Sequence, residues 1–384
     1  MHRSHVVLAL ASIWLAPLQA SVDGVPIPAE AGEFYYTVRA GGMDVERSYF
    51  RAQQTYVDDS GVPPLGLVSL VNPQGFLVNL KVDEKREWLP EIEFGYGLAG
   101  APFDERFDGV MRVSAAFHGH KFKSSAYAPV LVPPSTGFSV DDGMGGMMPT
   151  GLVATYNAIS GASVGTITDG FLNDRPITDV NLAVDMKQAG VELMLHFDER
   201  WEGWEFSRGA GLTYSYQTED MLYTFDMPDL ASVDMGQLGG DYSFTEDYDI
   251  KSHIVGLKLG FSIGRPLFGG LGAFINGSFT PGVAFGDLEA VQNAPCQTPV
   301  CNLSTIWTRD TIYRQDDRVA FAYNVRAGGG LSWRPWKLRL TGQGGYRHGM
   351  THYEARKKLG GEPVRLKMGT SGGFWANLGL TISI

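Results

Sequence analysis

Residues 374–384 read FWANLGLTISI, and the reading of this stretch decides the fold. Leu378, Leu380, Ile382 and Ile384 are apolar, while Asn377, Gly379, Thr381 and Ser383 between them are small or polar. Side chains alternate faces along extended backbone, so a period of two gives a strand one greasy side and one wet side. An edge strand of a soluble sheet shows the same pattern, and the rest of the chain has to choose.

Walking back, the alternation recurs. Over 336–347, Trp336, Leu338, Leu340 and Tyr346 oppose Lys337, Arg339, Thr341, Gln343 and Arg347. Over 318–333, Val319, Phe321, Tyr323, Val325, Leu331 and Trp333 oppose Asn324, Arg326 and Ser332, with only Arg334 and Pro335 before the next strand. The stretches 267–285, 250–264 and 204–217 repeat the pattern, with Arg208 interrupting the apolar side of the last. Shorter strands are expected at 33–42, 65–71, 76–83, 91–98, 108–118 and 189–198.

This gives twelve strands, with ten or fourteen as alternatives. Short connections fall near 72–75, 99–107, 199–202, 265–266 and 334–335. Long ones are expected at 43–64, 119–188, 218–249, 286–317 and 350–371. Sorting of connections by length is the mark of a closed antiparallel up-and-down transmembrane β-barrel, with short periplasmic turns and long extracellular loops. Lipid cannot satisfy backbone N–H and C=O groups, so a sheet in a membrane must close on itself. Its lipid-facing side chains are then apolar and its lumen-facing ones polar.

The other end of the chain fits. His2, Arg3 and His5 precede an apolar run at 6–16, followed by Leu18-Gln19-Ala20. That is the layout of a secretory signal peptide over 1–20, cut after Ala20, leaving 21–384 as one barrel domain. Eleven apolar residues fall short of the ~20 that a spanning helix needs. Glycine is 49 of 384 residues and charged residues are only 19%, against a usual ~25% for charge. The net charge of −11 argues against a nucleic-acid partner.

Trp201 and Trp204 flank one short turn, and Trp333 and Trp336 flank another. This is the placement of an aromatic girdle at a membrane interface. The C-terminal strand resembles the terminal strand of Gram-negative outer-membrane β-barrel proteins. That class usually ends on Phe where Ile384 stands here. The resemblance implies an outer-membrane location, contact with outer-membrane lipid and lipopolysaccharide, and recognition of this strand by the barrel-assembly machinery.

Parity places Glu93, Arg112, His118, Glu192, His196, Glu205, Lys258, Arg326, Lys337, Arg339 and Arg347 in the lumen. Arg326, Arg339 and Arg347 form a basic wall facing Glu192 and Glu205, a transverse field that would orient a charged small solute. The same groups pairing with one another would instead fill the lumen. Cys296 and Cys301, with four residues between them in an exported chain, are expected to form a disulfide. The acidic run over 218–249 is a candidate for a divalent cation, and as such weaker than a plain solvated loop. No cofactor is expected otherwise. Ser252 with His253, His348 with His352, and His118 with His120 are isolated pairs without a supporting catalytic motif, so no enzyme activity is expected. The functional expectation is passage of small solutes through a polar lumen. The alternative is a non-conducting surface barrel for adhesion or envelope organisation, and a lipid hydrolase or protease ranks below both.

Overall fold

A computed structural model describes residues 32–47, 50–57, 74–80, 84–98, 109–131, 138–141, 147–150, 153–157, 163–167, 176–227, 242–293, 312–358 and 362–384. All of its elements are strands. In chain order they are β1 (Phe34–Arg47), β2 (Phe50–Val57), β3 (Gln74–Leu80), β4 (Glu84–Leu98), β5 (Gly109–Leu131), β6 (Phe138–Asp141), β7 (Met147–Thr150) and β8 (Val153–Asn157). They continue with β9 (Ser163–Ile167), β10 (Pro176–Trp201), β11 (Trp204–Met227), β12 (Tyr242–Pro266), β13 (Leu271–Asn293), β14 (Ile312–Trp333), β15 (Leu338–Lys358) and β16 (Glu362–Ser383).

Ten of these form one closed antiparallel ring in the order β1-β16-β15-β14-β13-β12-β11-β10-β5-β4. The quoted C-terminal stretch closes it. β16 pairs with β15 on one side and β1 on the other, with Tyr36 opposite Ile382 and Val38 opposite Leu380. The backbones of Phe34 and Ile384 exchange hydrogen bonds at 2.8 and 3.3 Å, so the first and last barrel strands meet at one rim. No sheet edge is left for lipid to face.

The barrel therefore has ten strands among the described residues, where alternation predicts twelve. The run at 76–83 falls largely on β3, which belongs to a separate four-stranded sheet of order β3-β2-β8-β9. The run at 65–71 lies outside the described residues, as do Cys296 and Cys301, residues 1–20 and the whole 99–107 connection.

Tight turns at one rim use backbone with positive φ. Glu202 (φ 47) and Gly203 (φ 80) join β10 to β11 with Trp201 opposite Trp204. Two successive positive values are what a two-residue hairpin needs to match strand twist. Gly269 (φ 58) and Gly270 (φ 81) turn β12 into β13.

Several segments expected as long loops are largely strand. β5 runs on to Leu131 and β10 begins at Pro176; β11 and β12 extend to Met227 and from Tyr242. Only 359–361 separate β15 from β16. The reason lies in a reversal of side-chain polarity part-way up the wall. On β10, Leu193, Leu195 and Phe197 face out while His196 and Asp198 are buried inside. Higher on the same strand, with parity unchanged, Asp185 and Lys187 face out and Leu182, Val184 and Met186 are buried inside. β12 repeats this, with Val255, Leu257 and Phe261 outside below but Asp247, Asp249 and Lys251 outside above, over buried Tyr248 and Ile250. β13 changes at Phe285–Asp287 and β16 between Lys367 and Phe374, and on β5 Lys121 and Lys123 lie outside buried Phe122.

The lower zone is a belt of outward apolar side chains. From Leu271 to Phe285 the wall of β13 rises ~46 Å along the strand, or roughly 33 Å of height at a ~45° tilt. That height matches a hydrocarbon core of ~30 Å. Above it most of the charged side chains lie outside, over an interior of apolar residues that also encloses buried Glu219, Glu246, Gln292 and His352.

Candidate functional site

The interior of the belt zone is polar and crowded. Toward the turn rim, Arg39 on β1 forms ion pairs with Glu91 and Glu93 of β4. Arg112 on β5 is almost wholly buried, and its Nε donates to Asp198 Oδ2 at 3.0 Å while its NH1 lies 3.5 Å from Glu93 Oε1. The Tyr35 hydroxyl donates to Glu93 Oε1 at 2.8 Å and accepts from Arg112. Ser207 donates to the other oxygen of Asp198. Charges of both signs are thus taken out of water only as matched, hydrogen-bonded partners, the condition under which burial of charge is tolerated.

One glycine makes this layer possible. Tyr35 pairs across the strands with Gly95, and a Cβ at Gly95 would lie 2.1 Å from the Tyr35 ring. The missing side chain lets the ring lie flat on β4 and deliver its hydroxyl to Glu93. The same device recurs higher up, where the His118 ring lies over Gly190.

Above this layer, Lys258 Nζ donates to Glu192 Oε2 at 2.7 Å, with His118 Nδ1 4.0 Å from the other Glu192 oxygen. His196 Nε2 meets Ser114 Oγ at 2.8 Å. On the opposite wall Asn276 Nδ2 donates to Gln343 Oε1 at 3.0 Å. Arg347 Nε donates to Asn324 Oδ1 at 2.8 Å and its NH2 to Thr351 Oγ1 at 3.0 Å.

Two small chambers remain between these groups. The lower, about 40 Å³, is bounded by Arg39, Glu93, His196, Lys258 and Asn377 among others. The upper, about 60 Å³, is bounded by Gln188, Asn324, Arg347 and Thr351 among others. His118, His120, Glu192 and Arg326 line both, so the chambers adjoin. Together they have room for several waters, at roughly 10–15 Å³ each.

All six residues expected to line the lumen face inward. Glu192, Lys258 and Arg326 surround the chambers, and Arg347 lines the upper one. Glu205 and Arg339 sit at the turn rim, their Oε2 and NH2 atoms 3.9 Å apart. Basic and acidic walls are therefore bridged rather than held apart. Lys337 lies exposed in the turn before β15, off the lumen face where parity places it. Trp201, Trp204 and Trp333 point outward at the turn rim, and Trp336 is 97% exposed in a turn. The Arg265 guanidinium lies 5.2 Å from the Trp204 ring centre, a cation–π placement that suits an interface.

Sequence reasoning missed Tyr35, Arg39 and Asp198. The signal was available, since Tyr35, Thr37 and Arg39 share one parity in the EFYYTVRAGG segment.

The histidine pairs separate. Ser252 is buried inside while His253 points out, its Nδ1 2.8 Å from the Tyr214 hydroxyl. His348 also points out, beside Tyr323, whereas His352 is buried against Glu354 at 3.2 Å. Only His118 and His120 come together, with ring centres 5.9 Å apart.

Within 218–249, residues up to Met227 and from Tyr242 are strand rather than loop. Asp185, Asp220, Asp249 and Glu289 stand directly opposite one another across four adjacent strands. Burial pushes the Asp220 carboxyl above its ordinary pKa, with Asp249 and Asp185 adding to the effect. No three His, Cys, Asp or Glu side chains among the described residues are gathered as a metal site.

A closed ten-stranded ring with a lipid-height apolar belt outside and hydrogen-bonded charge inside is a β-barrel of the outer-membrane class, and its place is the outer membrane. No family model matches the chain, and no curated protein matches it. Among solved structures it is similar to the outer-membrane protease OmpT from Escherichia coli, at 10% identity and a TM-score of 0.36, covering 95% of this chain and 99% of that one. It is also similar to an outer-membrane channel from Pseudomonas putida F1, at 11% identity and a TM-score of 0.27, covering 95% and 100%. A FadL homologue from Pseudomonas aeruginosa follows at 8% identity and a TM-score of 0.19, covering 91% and 90%. At these scores no residue role is carried over from any of them.

Proposed function

We propose that the protein is an outer-membrane channel for small polar solutes, narrow enough to select among them. The observation that carries this reading is the pair of adjoining polar chambers inside the belt, ringed by His118, His120, Glu192 and Arg326. A barrel with no need to admit polar solutes could fill this space with aliphatic side chains, as the same wall does higher up at Leu182, Val184 and Met186. The ion-paired layer of Arg39, Glu93, Arg112 and Asp198 acts as the restriction. A solute passes only as these pairs exchange partners, so conductance is small. The reading assigns no catalysis to the chain.

The bridged rim and the apolar interior above the belt favour a second reading, a non-conducting surface barrel. Planar-bilayer recording on the refolded full chain separates the two. Discrete small-conductance steps, enlarged when the restricting layer is thinned by substitution, support the channel. A silent barrel whose folding is verified by its heat-dependent gel mobility supports the second reading.

A further inference from the structure

Two turns at the rim form a platform of exposed apolar side chains. The β12–β13 turn carries Leu267 and Phe268, the latter 76% exposed, and the β14–β15 turn carries Trp336, 97% exposed. The turns are held side by side. The Arg334 N–H donates to the Gly270 carbonyl at 2.9 Å, and a Cβ at Gly270 would lie 2.9 Å from the Arg334 carbonyl oxygen. Trp336 has φ 58, a left-handed backbone that glycine takes freely and a bulky residue rarely adopts. The fold accepts strain at this position and still places an indole at the tip of the turn.

Three cations share the platform. Arg265, Arg334 and Lys337 are all exposed. The two turns, 264–271 and 333–338, contain no Asp or Glu. Acidic groups flank the platform instead. Glu205 on β11 is engaged by Arg200 at 3.6 Å and Arg339 at 3.9 Å, and Glu202 stands in the β10–β11 turn. On the other side lies the C-terminus, where the Ser383 N–H donates to the Lys337 carbonyl at 3.1 Å.

Height decides what the platform meets. The apolar belt begins at Leu271, so both turns fall just beyond the hydrocarbon. A bilayer with its headgroups is ~40–45 Å thick around a core of ~30 Å, which leaves a polar layer of roughly 5–7 Å on each side. A large exposed apolar patch rimmed by charge marks an interaction surface. Indole rings settle at headgroup level, and anionic headgroups attract basic side chains close to the membrane. A planar guanidinium also matches phosphate oxygens with paired N–H donors.

We infer that this platform docks anionic phospholipid. Arg265, Arg334 and Lys337 hold the headgroup phosphates of the leaflet at the turn rim, and Leu267, Phe268 and Trp336 enter between the headgroups. With short turns on the periplasmic side, that leaflet is the inner one. The inference concerns the outer surface of the barrel and stands apart from the channel reading.

Quenching by brominated lipid tests it. The refolded full chain is placed in vesicles of phosphatidylcholine mixed with phosphatidylglycerol, with bromine carried on one lipid at a time. The difference in emission between wild type and Trp336→Phe isolates the indole at the tip. Phosphatidylglycerol should be preferred around Trp336 by about fivefold or more, the worth of one cation held at an anionic surface. The preference should fall to near parity in the triple variant Arg265→Gln, Arg334→Gln, Lys337→Gln, and it should shrink in high salt. Equal quenching by the two lipids, or a preference that survives in the triple variant, overturns the site. So does a Trp336 that neither lipid reaches, which would put the platform in water as a surface for a protein partner.

Discussion

Glu205 on β11 and Arg339 on β15 meet at 3.9 Å although β12, β13 and β14 stand between them in the ring. The contact runs across the lumen rather than along the wall, and it narrows the mouth at the turn rim. Arg339→Ala should raise single-channel conductance in planar bilayers while leaving the folded fraction intact, because Glu205 keeps Arg200 at 3.6 Å as a partner. Unchanged conductance would remove this contact from the restriction.

Arg112 is the most enclosed cation of the restricting layer. Arg112→Met takes the cation from buried Asp198, while Glu93 keeps Arg39, and removing one partner of a buried ion pair costs about 3–5 kcal/mol. The double variant Arg112→Met with Asp198→Leu should recover a substantial part of that loss. Urea titration of the barrel in lipid vesicles, followed by tryptophan emission, measures both. A single variant as stable as wild type would show that the layer is solvated rather than sealed.

Gly95 carries the Tyr35 ring. Gly95→Val places side-chain atoms where the ring lies, and overpacking of this kind costs typically about 1–3 kcal/mol. It should also free the Tyr35 hydroxyl from Glu93, which tyrosine near-ultraviolet dichroism would register.

The belt and the zone above it differ in what they tolerate. Leu193→Arg puts a cation on the lipid face and should cost about 2–4 kcal/mol. Ala183→Arg, on the same strand and the same outward face but among Asp185 and Lys187, should fall within about 0.5 kcal/mol of wild type. Equal penalties at the two positions would mean that the hydrocarbon reaches well above the belt drawn here.

Asp220 stands between Asp185 and Asp249, and burial with these neighbours raises its pKa. A carboxyl whose folded pKa is raised is destabilising when ionised, and that penalty disappears as pH falls through the raised value. Asp220→Asn should therefore be more stable than wild type at neutral pH. The gap should close on acidification, and thermal melts of both proteins across that range would show it. A gap that widens in acid would contradict the raised pKa.

Alternation alone was enough to read the closing strand at 374–384, the outward apolar side chains of the belt and, Lys337 apart, the inward parity from Glu93 to Arg347. What it missed has a physical cause. Period-two reasoning looks for apolar residues on a constant outer parity, and that criterion fails where the wall leaves lipid. At Asp287 on β13, or Lys187 on β10, the strand continues with its polarity exchanged, so the sequence looks like the start of a polar loop. One of the two excess strands arose from the opposite error, because 76–80 is as apolar as a barrel strand yet pairs with β2 elsewhere. Pairing partners within the lumen were hidden for a third reason. Glu205 and Arg339 are joined only by curvature of the ring, which no local pattern encodes.

The exchange of polarity at a single height also fixes how deep the molecule sits. Sliding outward would strip lipid from Phe285 and Val255, and sinking would drag Asp287, Lys251 and Asp249 into hydrocarbon. Either displacement is opposed on several strands at once. In a bilayer of another thickness it is therefore the lipid around the wall that must stretch or compress, while the protein holds its level.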